Sequence, residues 1–371
     1  MTELLCIGNA IVDVFAVSDS QTMDRLGIRE LVQHIQREGA EKILADLGAG
    51  EAVLGASEGA DGAPVFSSGG GAANVAKIAA LLDIGAAFAG CVGSDRLAEV
   101  FAEDLRSAGV AALLAKGKER TGVCLVLGSP EGETRIAASP GAALEFTEAD
   151  INEKMIQSAK ALVLDGYILD RRPLVRRILE LAGKYGTPVA LDAASVFQIR
   201  ERAAEILQYC RNYPIILLMN ADEAIAFYHV LRKDGDDAEN GRGPGGIRGP
   251  GEKQREEREK EKLILEDICP VFKILTKGEL FPIIVIKLGG RGALALARGE
   301  LYREETFTVV PKNSIGAGDA FCAAFLASWI RGKSLSEGLS LGNRVAGEVL
   351  KVPGTRIRGG KLKPLAKLLG K

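Results

Sequence analysis

Leu301-Tyr302-Arg303-Glu304-Glu305-Thr306-Phe307-Thr308-Val309-Val310-Pro311 is followed, after Lys312, by Asn313-Ser314-Ile315-Gly316-Ala317-Gly318-Asp319-Ala320-Phe321. The first stretch is rich in β-branched and aromatic residues and predicts a strand running into a glycine turn. Beyond the turn, Phe321, Ala324, Phe325, Ser328 and Trp329 recur at three- and four-residue spacing, and Gly332 stands where a helix should stop, so a helix is predicted over 320–331. Two glycines around an alanine let the backbone turn tightly and approach a ligand. The helix end behind them offers unpaired N–H groups and a positive dipole end to an anion. Asp319 then has two readings. Carboxylates are favoured in a first helical turn by roughly 0.3–1 kcal/mol through the dipole alone, and the same position faces a bound phosphate. No G-x-x-x-x-G-K-[ST] run occurs in the sequence, which argues against a P-loop cradle.

Outward from this turn the chain alternates short apolar runs with amphipathic segments. Strands are predicted at Leu4–Gly8, Ala86–Cys91, Ala161–Leu164, Val189–Asp192, Ile215–Met219 and Ile283–Leu288. Helices are predicted at Ala72–Leu82, Leu97–Ala108 and Arg172–Lys184. The βαβ rhythm implies an α/β, doubly wound, mostly parallel sheet flanked by helices, with ligands bound beyond the carboxyl ends of its strands. Asp165, Asp192, Asn220 and Gly289 all follow such ends. Residues 14–68 interrupt the rhythm with a polar helical stretch around Met23–Leu47 and a Gly/Ala/Glu segment, and a hairpin is expected over Arg120–Ser139. Together they could cover the active face and exclude water. A second interruption, 232–262, reads as a charged Gly/Pro-rich surface insertion, disordered or helix-tipped. Its Gly241-Arg242-Gly243-Pro244-Gly245-Gly246 fits G-x-G-x-x-G but lacks a preceding strand, which argues against a dinucleotide fingerprint.

At 371 residues, with 47% apolar and 26% charged side chains, the composition is that of a globular domain with a sizeable core. A formal net charge of −2 gives no global electrostatic case for a nucleic-acid or membrane surface. Lys351, Arg356, Arg358, Lys361, Lys363, Lys367 and Lys371 make the C-terminus basic, which suits a solvated tail; an RNA contact is the alternative. The six cysteines are scattered, without a C-x-x-C pair, and suit reduced thiols in a cytoplasmic protein. Only His34 and His229 are available, which excludes a His-rich metal site. No signal-like or long apolar segment is apparent.

Other motifs each admit a structural explanation beside a functional one. Gly69-Gly70-Gly71-Ala72-Ala73-Asn74 could hold a ligand close to the backbone, with Asn74 offering donor and acceptor to hydroxyls, or could be a tight strand-to-helix connection. Asn220 and Glu223 could hold the water shell of Mg²⁺, or form a capping box. Lys287-Leu288-Gly289-Gly290-Arg291-Gly292 could be a nucleotide-binding turn, or a hairpin into Ala293–Ala297. Asp13 is bracketed by apolar residues and needs partners, which sugar hydroxyls would supply.

Their order identifies the chain more than any one of them. Gly8-Asn9…Asp13, Gly69-Gly70…Asn74, Gly90…Gly93…Asp95, Asn220…Glu223, Leu288-Gly289…Gly292 and Gly316-Ala317-Gly318-Asp319 together resemble the ribokinase-like, or PfkB, carbohydrate kinases over nearly the whole length outside 232–262. The resemblance implies a single kinase domain over 1–371 with a small β-rich lid from about 14–68 and 112–140. It implies transfer of the γ-phosphate of ATP to a hydroxymethyl group of a sugar or nucleoside. Asp319 would be the base, ionised at pH 7 from a reference pKa of about 3.9, and Gly316, Ala317 and Gly318 the anion hole. Asn9, Asp13, Gly69, Gly70 and Asn74 would bind the acceptor. Asn220 and Glu223 would organise phosphate and Mg²⁺, Glu223 through water. Lys287, Gly289 and Gly292 would lie near the nucleotide and Asn343 on its adenine side. Asn313-Ser314 stands where the family usually has Asp-Thr, which argues against activation by a monovalent cation.

The long 14–68 segment resembles the adenosine-kinase-like branch. Arg135 resembles an arginine of that branch that approaches the transferred phosphate, and Tyr167 an aromatic that packs on the base. A nucleoside or ribosyl acceptor is therefore expected ahead of a free sugar such as ribose, fructose or 2-keto-3-deoxygluconate. A nucleotide- or sugar-binding pseudokinase is the non-enzymatic alternative, against which the pairing of Asp319 with Glu223 speaks. The expected partners are small molecules, with no nucleic acid or membrane, in a monomer or, by analogy, a homodimer.

Overall fold

A computed structural model describes residues 2–30, 32–46, 64–129, 134–232, 250–278, 282–307, 309–311, 315–352 and 359–370. Its main sheet places β6 (Ala111–Lys116), β5 (Ala86–Val92), β1 (Leu4–Ile7), β9 (Ala161–Asp165), β10 (Val189–Asp192), β11 (Ile215–Asn220) and β12 (Ile283–Lys287) side by side, all parallel. Antiparallel β13 (Ala293–Ala297) and β14 (Glu300–Glu304) complete the far edge. Parallel strands buried on both faces read as continuous apolar runs, and β1, β5 and β9 are buried throughout.

Alternation along each strand divides the core in two. Leu4 and Cys6 face one hydrophobic cluster, and Leu5 and Ile7 the other. The first cluster takes helices α3 (Gly71–Leu81), α4 (Arg96–Ser107), α11 (Ala317–Ile330), α12 (Leu335–Val349) and α13 (Gly359–Ala366). The second takes α5 (Glu153–Ser158), α6 (Arg172–Tyr185), α7 (Val196–Asn212), α8 (Ala221–Arg232), α9 (Pro250–Leu263) and α10 (Cys269–Leu275).

A second, five-stranded sheet pairs β3 (Val32–His34), β8 (Thr134–Gly141), β7 (Thr121–Gly128), β2 (Ile11–Val17) and β4 (Val65–Gly69) in that order. Both stretches expected to form a cover contribute to it, except that 112–116, at the start of the second stretch, belongs to β6 of the main sheet. Register sorts its side chains. Val12, Val14, Leu125, Leu127 and Ala137 are buried with Met23, Ile28, Ala40 and Ile43 of the segment carrying α1 (Ser20–Arg25) and α2 (Arg37–Asp46). The other face carries Ile11, Asp13, Phe15, Cys124, Val126 and Ile136.

Two expectations are corrected. The helical stretch expected around Met23–Leu47 is two helices with β3 between them, because Gly27 turns the chain at φ +78° and Val32–His34 then pairs with β8. The strand expected over Leu301–Pro311 ends at Glu304, where the Asn343 amide takes the carbonyls of Glu304 (3.2 Å) and Glu305 (3.3 Å). The flexible segment expected at 48–63, the turn of the 120–139 hairpin, the 241–246 glycines and Asn313-Ser314 lie outside the described residues. The C-terminal part of the 232–262 insertion is helical, as α9.

Candidate active site

Two helix N-termini meet at the site. Gly316, at φ +76°, caps α11 and places Asp319 in its first turn. Gly70, at φ +84°, caps α3 and places Asn74 one turn in. Small residues on α3 (Ala72, Ala73, Ala76) let it lie close, and the Asn74 amide donates to Asp319 Oδ2 at 3.0 Å across 245 positions of sequence. The Asp319 carboxylate is thus held by a second helix, and its other oxygen lies 3.4 Å from where a side chain on Gly71 would begin. Asn74 Oδ1 is buried without a hydrogen-bond partner. A buried acceptor left open costs about 1–3 kcal/mol, and a ligand hydroxyl would relieve it.

Four buried or half-buried carboxylates ring this point. Loss of water, reinforced by the charge of Asp192, pushes Asp319 up to about 7; the Asn74 bond and Lys287 oppose the shift. Glu223 is raised to about 7 and Asp165 to about 6, again chiefly by burial. Asp319 thus titrates near neutrality, and the expectation of an ordinary carboxylate is corrected. Asp165 and Asp192 end β9 and β10. Sequence reasoning placed both at strand ends but gave neither a role. Asp165 accepts from the Gly71 and Tyr167 N–H groups, and Asp192 binds Lys287 Nζ at 2.8 Å.

On one side of this group, Asp13 is buried and pushed up to about 7 by desolvation. Gly69 lies against it so closely that a β-carbon there would overlap the carboxylate. Cys124, its register partner on β7, donates its thiol to Asp13. Asn9 Oδ1 accepts from Arg171 Nη2 at 2.6 Å, and Arg171 also donates to the Ala143 carbonyl. Arg171 and Cys124 carried no motif that would have singled them out. Arg135 is not brought to this group. The register sets it on the face of Leu125 and Leu127, where its guanidinium donates to Asp24 and the Ile28 carbonyl (2.6 Å). Tyr167 stands 45% exposed just past Asp165.

On the opposite side, Asn220 and Glu223 form a reciprocal cap. The Asn220 N–H and amide each donate to one oxygen of Glu223 (2.7 and 2.8 Å), and the Glu223 N–H returns to Asn220 Oδ1 at 2.9 Å. This local structure alone accounts for both residues. Gly289 and Gly292, at φ +59° and +87°, form the turn after β12, and a β-carbon on Gly292 would strike Glu304. Gly342 and Gly338 let α12 pack on Phe321 and Phe325 of α11, which brings Asn343 to a cleft of about 610 Å³. Phe307, Val309, Arg344, Gly347 and Lys351 also line it, with the Arg344 guanidinium 5.4 Å from the Phe307 ring centre. That volume suits a small organic ligand.

A nucleoside triphosphate with Mg²⁺ fits these residues: a cleft for a base, a glycine turn, a helix N-terminus for phosphate, and Glu223 within the ring. Among the described residues no group of three or more His, Cys, Asp or Glu could hold a metal. Mg²⁺ at phosphate sites commonly keeps its waters and few carboxylates, so no protein cage is required. Among the described residues no helix is long and apolar enough to cross a membrane.

The description "pfkB family carbohydrate kinase" matches residues 49–241 and 260–359. The 5-dehydro-2-deoxygluconokinase of Clostridium perfringens is 28% identical over 291 residues, 75% of this chain and 76% of its own length. The adenosine kinase of Schizosaccharomyces pombe is 25% identical over 307 residues, 79% and 82% of the two chains. The crystal structure of adenosine kinase from Sinorhizobium meliloti shares the fold, with a TM-score of 0.75 at 24% identity over 99% of this chain and 98% of that one.

Proposed function

This chain belongs to the pfkB family of carbohydrate kinases, phosphotransferases with an alcohol acceptor, and from that premise we propose that it phosphorylates a hydroxymethyl group of a nucleoside or ribosyl compound at the expense of ATP. The observation that carries the reaction is the meeting of Asp319, Asn74 and the Gly316–Gly318 turn at two helix N-termini. One Asp319 oxygen is fixed by Asn74, which leaves the other for the acceptor hydroxyl. As the acceptor oxygen bonds to the γ-phosphorus and the bond to ADP breaks, Asp319 takes the hydroxyl proton. A group titrating near neutrality suits that task. The N–H groups of Gly316, Ala317 and Gly318 meet the developing phosphoryl charge, a role of alignment and electrostatics. Asn9, Asp13, Gly69, Gly70 and Asn74 hold the acceptor. Lys287, Gly289, Gly292 and Asn343 would hold the nucleotide, Asn220 and Glu223 would serve its phosphates, and Glu223 would hold Mg²⁺ through water. Bound Mg²⁺ would supply charge neutralisation. The departure at Asn313-Ser314 speaks against a monovalent cation requirement.

A nucleoside acceptor is favoured by the apolar surroundings of Asp13. Ile11, Phe15, Cys124, Val126 and Ile136 share its face of the small sheet, and all but Val126 are half-exposed. A free polyol has little use for such a wall, whereas a base does. The 28% relative favours a free-sugar acid as the second reading. A coupled assay of ADP formation over adenosine, inosine, guanosine, ribose, fructose, 2-keto-3-deoxygluconate and 5-dehydro-2-deoxygluconate decides between them. A nucleoside is expected to give the highest kcat/KM, and Asp319→Asn to lower its kcat by about 10²–10⁴. Sugar acids as the best acceptors would overturn the nucleoside assignment, and near-normal turnover in Asp319→Asn would overturn the base.

A further inference from the structure

Lys287 ends β12, beside Asn220 in the register of β11, and its ammonium turns inward rather than to solvent. It binds Asp192 Oδ2 at 2.8 Å, and a β-carbon on Gly318 would lie 3.5 Å from Nζ, so the charge sits at the mouth of the Gly316–Gly318 turn. Glu223 and Asp319 both feel that charge. An ammonium has three donors. Among the described residues its hydrogen bond is the one to Asp192, which leaves two N–H directions at a point where backbone N–H groups already converge. A purely structural role accounts poorly for this placement. A buried pair recovers its desolvation cost only when its remaining donors are satisfied, and a methionine at the end of an apolar strand would pack without that cost. A polyanion entering a ring of Asp165, Asp192, Glu223 and Asp319 also needs a cation at the point of entry.

We propose that Lys287 is a catalytic residue whose ammonium contacts the γ-phosphoryl oxygens during transfer, and that Asp192 is the positioning residue that aims it. This rests on the kinase reading and gives the Gly316–Gly318 anion hole a charged third wall. The chemistry is that of a lysine clamp on a transferring phosphoryl group, worth on the order of 10²–10³ in rate for a single well-placed donor.

The test compares Lys287→Met, Asp192→Asn and the double variant Lys287→Met/Asp192→Met. Each is assayed for kcat and acceptor KM, for thermal midpoint, and by calorimetry for binding of ADP and of the non-hydrolysable ATP analogue AMP-PNP. Lys287→Met is expected to lower kcat by about 10²–10³ with acceptor KM within threefold. It should weaken AMP-PNP about tenfold while ADP binding stays within twofold, since only the γ-phosphate is lost as a partner. Asp192→Asn should lower kcat about five- to tenfold with acceptor KM unchanged, a split that a loss of folding alone would not produce. The double variant exchanges the buried pair for apolar side chains, so it should fold even if the single one does not, and remain as slow as Lys287→Met. A folded double variant with kcat within threefold of wild type would sink the proposal, as would equal losses of ADP and AMP-PNP. A wild-type protein that turns over none of the acceptors would instead remove the kinase reading, and the ADP to AMP-PNP comparison would then decide the Lys287 contact by itself.

Discussion

Asp319 shows what burial does to one carboxylate. Its raised titration range means that the folded protein keeps a proton there that the unfolded chain releases at lower pH. The sign follows. Whatever stability Asp319 contributes is fully present below the unfolded carboxylate range near 4 and is lost as pH rises through about 7. Removing the charge should therefore stabilise the fold, and more so at alkaline pH. Asp319→Asn keeps the shape and can still accept from the Asn74 amide through its remaining oxygen. The expected gain at pH 8 is at least about 1 kcal/mol, the free energy of one pKa unit, or about 1–3 °C in Tm. At pH 5 it should be clearly smaller, since less of the titration gap then lies below the ambient pH. Scanning calorimetry of both proteins at the two pH values checks this, and a difference that stays constant or grows toward pH 5 would show that Asp319 is not held neutral by its site. A variant slower by orders of magnitude yet more stable is what strain stored at a functional site predicts.

At the level of single elements, the parallel strands were legible because burial on both faces leaves continuous apolar runs such as Ile215–Met219, and α11 because its spacing is helical and Gly332 ends it. What escaped was decided by pairing between distant segments. The face taken by Arg135 depends on its pairing with Leu127, and a shift of one residue would have turned it toward Asp13. Among site residues, Asp319 and Asn74 could be picked from motifs, whereas Arg171 and Cys124 became visible only through their contacts with Asn9 and Asp13. The base of the insertion is a similar case. Its charge and Gly/Pro density suggested a surface insertion, disordered or helix-tipped, yet Glu261 on α9 is buried between Arg291 of the Gly289–Arg291 turn and Arg303 of β14 (2.7 Å), and neighbouring Lys260 pairs with Asp222 at 2.8 Å. Helix α9 therefore braces the Gly289–Arg291 turn. Glu261→Ala should cost about 1–3 kcal/mol, because Arg291 is left without its partner, and should raise KM for ATP about three- to tenfold with kcat within twofold. Urea denaturation and ATP titrations measure both. An unchanged KM for ATP alongside the stability loss would restrict α9 to a structural role.

Across the whole molecule, two of the connections that join the sheets run past Asn9 and Gly70, beside Asp13. The chain leaves β1 of the main sheet through Gly8-Asn9-Ala10 into β2 of the small one, and returns from β4 through Gly70 into α3. These crossings are interlocked. A β-carbon on Gly8 would lie 2.7 Å from that of Ala72, and one on Gly70 would lie 2.5 Å from the Asn9 carbonyl. Gly70 holds φ +84° and ψ 142°, a conformation other residues reach only under strain. The passages from β6 to β7 and from β8 back towards β9 also join the sheets, but Asn9 and Gly70 are the crossing residues proposed for the acceptor, so a rotation of the small sheet that moves them would couple to acceptor binding. Gly70→Ala tests that coupling. Backbone strain of about 1–3 kcal/mol is expected in denaturation. The displaced Asn9 carbonyl should raise acceptor KM at least about tenfold, the equivalent of about 1.4 kcal/mol, while the ATP site beyond α11 keeps its Kd within twofold. Hydrogen exchange should show faster exchange across β2, β7 and β8 in the variant and less protection there on adding acceptor. If Gly70→Ala instead weakened ATP and acceptor equally, the strain would be spreading through the main sheet, and the crossing would not be the hinge.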